Sequence, residues 1–107
     1  MPVYNKLVRD FIPQVIEASG KTCRTRVLEK EEYLTSIKVK MQEEVLEFQE
    51  ASTPKEAVEE LADILELVHA AIHVYRVSYE QLEQKRIQKR LYRGGFTEGI
   101  YLIDVEE

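Results

Sequence analysis

From Pro54 to about Tyr75 the sequence reads as one helix that is apolar around most of its circumference. Val58, Leu61, Ile64, Leu65, Leu67, Val68, Ala70, Ala71, Ile72 and Val74 cover it. Such a helix has to be buried, and a chain of 107 residues has few elements to bury it. Upstream, Leu34, Ile37, Met41, Val45 and Phe48 recur every three or four residues between Glu31 and Ala51, which predicts an amphipathic helix. Between the two, Thr53 suits an N-cap, Pro54 the first helical position, and Glu56 the third position of a capping box. A connection this short makes the helices antiparallel neighbours.

Two further helices are expected. Ile12 to Ser19 reads as a short one closed by Gly20. Ser78, with Gln81 three residues on and Val77 and Leu82 placed as a hydrophobic staple, starts another that runs to about Leu91. The expected fold is therefore all-α, an antiparallel helical bundle completed by oligomerisation as a dimer or tetramer. Thr22 to Leu28 has the alternation and β-branching of a short strand, for which Ile100 to Val105 is a candidate partner.

The composition excludes several function classes. A net charge of −5 argues against non-specific binding to nucleic acid or to anionic membrane surfaces. No stretch approaches the roughly 18 apolar residues of a membrane span. Met1 leads into Pro2-Val3-Tyr4-Asn5-Lys6 without the apolar run of a signal peptide. Cys23 is the only cysteine, so no intrachain disulfide forms, and the expected location is the cytoplasm.

The chemistry is concentrated in two acidic phrases, Glu43-Glu44-x-x-Glu47 and Glu59-Glu60-x-x-Asp63. The pairs Glu44/Asp63 and Glu47/Glu60 mirror about Thr53 and Pro54. If the chain folds back there, Glu44 lies level with Asp63 and Glu47 with Glu60. Within each helix the i,i+3 spacing places both carboxylates on one face. Four converging carboxylates would repel in a half-buried cleft. A hard divalent cation such as Mg²⁺ takes oxygen ligands and removes that repulsion. Either phrase alone would read as a solvated helix face. The second, however, interrupts an apolar helix, where charges need a reason.

These residues also carry a resemblance. Lys40-Met41-Gln42-Glu43-Glu44-Val45-Leu46-Glu47, followed by Glu60-Leu61-Ala62-Asp63, resembles the EExxE…ExxD signature of the MazG-like, all-α nucleoside triphosphate pyrophosphohydrolases. Phosphoribosyl-ATP pyrophosphohydrolase belongs to the same superfamily. Tyr4-Asn5-Lys6-Leu7-Val8-Arg9-Asp10 and Arg93-Gly94-Gly95-Phe96 are similar to one branch of it, so the likeness spans nearly the whole chain as a single domain. It implies Mg²⁺-dependent hydrolysis (with Mn²⁺ an alternative ion) between the α- and β-phosphates of a nucleotide, giving a monophosphate and pyrophosphate. Glu44, Glu47, Glu60 and Asp63 match the metal-binding carboxylates. Glu43 matches the first acid of the motif, which holds a water or a second ion, and Lys40 points to the phosphates; these two are the expected catalytic residues.

The remaining candidates each have a plainer reading. Lys40 also suits an ordinary i,i+4 pair with Glu44. Asn5, Lys6, Arg9 and Asp10 read either as a solvated tail or, by the resemblance, as substrate contacts. Arg90 and Arg93 complement a helix C-terminus, yet they lead into two glycines that could close over phosphates. Glu66-x-x-His69 occurs once, whereas ferritin-like di-iron sites use the motif on two helices, so His69 and His73 read as interface or core residues. Two alternatives to catalysis stand beside the hydrolase: a non-catalytic helical oligomer binding a nucleotide or protein, and, more weakly, a nucleic-acid adaptor using the basic last helix.

Overall fold

The structure, a computed structural model, describes residues 2–106. Its helices are α1 (Ile12–Ala18), α2 (Lys30–Glu50), α3 (Pro54–Val74) and α4 (Tyr79–Arg93). The chain divides into two compact units at Arg76/Val77. The first holds α1 to α3 and the second holds α4.

Each boundary has a local cause. Pro13 enters the first turn of α1, where its missing N–H has no partner to lose. Gly20, at φ +88, ends that helix in a conformation a side chain would resist. Glu31 and Glu32 lie in the first turn of α2, where negative charge complements the exposed N–H groups. Arg26 reaches forward to hold Glu32 through its two terminal nitrogens, Nη1 and Nη2, at 2.9 and 2.6 Å.

At the turn into α3 the Thr53 hydroxyl accepts from the Glu56 N–H at 3.1 Å. Glu56 does not complete the reciprocal box. Its Oε2 accepts instead from the N–H and the hydroxyl of Ser52, one residue earlier. Ser52 and Thr53 are thereby both tied to Glu56, which fixes the short turn between α2 and α3. Thr53→Ala is expected to lower stability by about 1 kcal/mol, read as a fall in thermal midpoint.

α2 packs on α3, and Ile37 of α2 is fully enclosed. The apolar stripe of α2 is covered only near its centre; Val45 and Phe48 stay 42% and 39% exposed. No residue of α3 is buried in the single chain. Val58, Leu61 and Leu65 are 63%, 46% and 47% exposed, and their i, i+3, i+7 spacing makes them one open stripe. The burial expected for this helix is thus not provided by the first unit.

In the second unit, α4 begins with the full capping box: Gln81 N–H to Ser78 Oγ at 3.1 Å, and Ser78 N–H to Gln81 Oε1 at 2.9 Å. It ends where the N–H of Gly94, at φ +79, donates to the Arg90 carbonyl.

The expected strand pair is corrected. Among the described residues no strand forms, and neither Thr22–Leu28 nor Ile100–Val105 enters a ladder. A two-stranded ribbon with no third strand or helix against its face is marginal in water. Alternation in seven or six residues does not supply that face.

Candidate metal centre

The i,i+3 spacings place Glu44 and Glu47 on one face of α2, and Glu60 and Asp63 on one face of α3. The clamped turn sets the two faces level. Glu44, Glu47 and Glu60 each turn an oxygen inward, and these three oxygens lie within 4.8 Å of one another. Glu44 is 6% exposed, Glu60 is half-buried and Glu47 is open to solvent.

Such a cluster strains its own charges. Burial pushes the Glu44 carboxyl up to about 7; hydrogen bonding with Glu47 and Glu60 and the charges of Glu47 and Asp63 add to it. Glu60 is raised as well. Its hydrogen bond with Glu44 pulls the other way, but burial, a hydrogen bond with Glu47 and the charges of Glu47 and Asp63 outweigh it. The physical content is a proton retained by the cluster, carried chiefly by Glu44, because three carboxylates this close cannot all ionise cheaply.

Whether the donor set suits a metal follows from the atoms themselves. With the carboxylates ionised, Glu44 Oε2 and Glu60 Oε2 are buried and meet no hydrogen-bond donor. Buried oxygens of this kind are costly unless something positive meets them. The donors are all carboxylate oxygens, which suits Mg²⁺ or Mn²⁺ and not a softer ion. The residues fit a hard divalent cation.

Asp63, the expected fourth ligand, is not part of this triad. Arg9 Nη2 donates to Asp63 Oδ1 at 2.5 Å. That hydrogen bond is the main reason the guanidinium is held in its charged form more firmly than usual. Burial opposes it, and the charges of Asp63, Glu66 and Glu44 reinforce it. Glu43 is bracketed by two lysines, with Lys40 Nζ at 3.3 Å and Lys6 Nζ at 3.6 Å from its Oε1. Lys40 Nζ also lies 3.6 Å from Glu44 Oε1, so the i,i+4 pair and a place at the cluster's edge coexist. Lys6 sits 5.7 Å above the Tyr4 ring, a cation–π contact absent from the expectations.

The N-terminal segment is thus a strap laid across both helices: Lys6 meets α2 and Arg9 meets α3. Asn5, at φ +44, takes up a left-handed conformation just before the bend at Lys6; asparagine tolerates this conformation better than most residues. Asp10 is exposed in the turn leading into α1. Arg90 and Arg93 lie exposed in the last turn of α4, in the second unit. Glu66 and His69 are exposed on α3 and do not join the triad. The Arg9–Asp63 pair had no sequence signal, because 54 positions separate its members.

Comparison with known proteins gives the cluster a context. The family model for phosphoribosyl-ATP pyrophosphohydrolase matches residues 8–90. That span includes Arg9, Lys40 and all the acids above, and leaves Asn5, Lys6 and Arg93 outside. A 54-residue segment is 44% identical to an uncharacterized protein of Mycolicibacterium smegmatis, covering 50% of this chain and 55% of that protein. The match therefore spans about half the length of the curated relative. No solved structure matches significantly.

Proposed function

The chain belongs to the phosphoribosyl-ATP pyrophosphohydrolase family, within the MazG-like all-α superfamily, and from that premise we propose that it hydrolyses the α–β phosphoanhydride of a nucleotide with Mg²⁺ or Mn²⁺. The products are a nucleoside monophosphate, or its phosphoribosyl equivalent, and pyrophosphate. The observation that carries this reading is the triad of Glu44, Glu47 and Glu60, with two buried oxygens lacking any donor.

In this reading Glu44, Glu47 and Glu60 hold the ion, and Asp63 stands beside them. The bound cation supplies neutralisation of phosphate oxygens and a more acidic attacking water. Glu43, outside the triad and held between Lys6 and Lys40, orients that water. Lys40, with its side chain 19% exposed, presents its ammonium to the phosphates from the edge of the cluster. Asn5, Lys6, Arg9 and Asp10 on the strap are assigned to substrate.

Incubation with Mg²⁺ and a panel of nucleoside triphosphates plus phosphoribosyl-ATP, with detection of pyrophosphate, tests the activity. Release from at least one member is expected. Silence across the whole panel would favour the non-catalytic oligomeric module instead.

We also assign the open stripe of α3 to self-association. Val58, Leu61 and Leu65 lie exposed on a helix whose own chain buries none of its residues, and a contiguous apolar stripe of this kind favours a partner. Sedimentation should show a dimer or larger assembly. Leu61→Asp with Leu65→Asp should shift it to monomer, and a wild-type chain that sediments as a monomer would refute the assignment.

A further inference from the structure

Lys6 and Arg9 of the strap are both paired with acids that flank the cluster. Arg9 holds Asp63 at 2.5 Å, and Lys6 lies 3.6 Å from Glu43. Both side chains are nevertheless well exposed, at 57% for Arg9 and 42% for Lys6. Ion pairs so open to water are weak and cheap to break. Asp63, by contrast, adds its charge to the crowding felt by Glu44 and Glu60. A divalent cation among those carboxylates carries twice the charge of the guanidinium and, beside the buried Glu44, is less screened by water, so it would attract Asp63 more strongly than the exposed Arg9 does.

We propose that Arg9 is an exchangeable counter-ion: it neutralises Asp63 in the metal-free protein, and metal loading transfers Asp63 to the cluster and frees the guanidinium for a substrate phosphate. This rests on the metal reading above and extends it to an order of events. The metal-free strap offers little free positive charge to a polyphosphate, because its cations already face carboxylates. Once the cation is held, Arg9 stands at the cluster's edge with its charge unspent. Metal and phosphate then bind with positive coupling, which thermodynamics requires to be reciprocal. Arg9 acts here as a positioning residue toward the metal.

The test uses the full chain labelled with ¹⁵N-arginine, with the Arg9 side-chain signal assigned through Arg9→Lys. On titration with Mg²⁺ alone, that signal should leave its ion-paired position in step with binding measured by calorimetry. A signal that stays in place at saturation overturns the exchange. Arg9→Ala should bind Mg²⁺ about two- to fivefold more tightly than wild type, as expected for removing an exposed competing ion pair. Lys6→Ala removes one charge from the same strap without touching Asp63 and should tighten binding less. Equal tightening in both variants, or none in Arg9→Ala, overturns the exchange in favour of a general field. Glu47→Gln separates this from failure of the metal reading. If wild type and Glu47→Gln alike fail to bind Mg²⁺, the metal centre itself falls and the exchange with it. If wild type binds, Glu47→Gln does not, and Arg9 stays paired, only the exchange falls.

Discussion

Glu47→Gln is expected to cut pyrophosphate release by about three orders of magnitude or more while leaving the helical circular-dichroism signal unchanged. Glu47 is the most solvent-open member of the triad, so it contributes little to packing and its amide fits the same space. What it loses is a charged oxygen for the cation. Metal stabilisation of transferring charge is worth several kcal/mol, and each 1.36 kcal/mol is a factor of ten in rate. Calorimetry should show the loss in Mg²⁺ binding and steady-state kinetics the loss in turnover. Full activity in this variant would remove the triad from the mechanism.

Glu44→Gln should separate stability from function in the opposite sense. The folded-state pKa of Glu44 is raised from 4.5 to about 7. Below pH 4.5 the carboxyl is protonated in both the folded and the unfolded chain, and its ionisation has no effect on stability. Between those values the folded protein keeps a proton that the unfolded chain has lost, so stability declines as pH rises. Above about 7 the full cost is present, on the order of 3 kcal/mol for this shift. The metal-free wild type should therefore melt lower at pH 8 than at pH 5. Glu44→Gln, whose amide cannot ionise and can donate to a neighbouring oxygen, should lose most of that slope and melt several degrees higher at pH 8. It should also no longer be stabilised by Mg²⁺. For wild type, Mg²⁺ should raise the midpoint most above pH 7, because the ligands must shed their proton to bind. A metal-free wild type with a flat pH profile would contradict the assigned burial cost.

Much of the first unit was legible before folding. The periods of α2 and α3, the Thr53 cap and Pro54 are local signals, and each was realised within a residue or so. The same holds for Ser78 and Gln81 at the start of α4. Glu44, Glu47 and Glu60 could be anticipated together because a helical hairpin converts spacing along the chain into level positions across it. The reading of Thr22–Leu28 and Ile100–Val105 as paired strands failed where local pattern was asked to supply a non-local partner. For Glu56, the reciprocal arm settled on Ser52 and not on Thr53, a choice of side-chain geometry that the capping pattern does not contain.

The sequence by itself determined the helices, their antiparallel turn and the convergence of three carboxylates, because all of these follow from helical period and a short clamped connection. Only the tertiary structure showed what Asp63 meets in the metal-free protein. Asp63 shares the face of Glu60 and by spacing belongs with the others, yet Arg9 lies against it from 54 positions away. The tertiary structure also showed how little of α3 the rest of its unit covers. Both outcomes depend on which segments meet in space. No period or motif along the chain encodes that meeting; the competition between a guanidinium, a carboxylate cluster and water does.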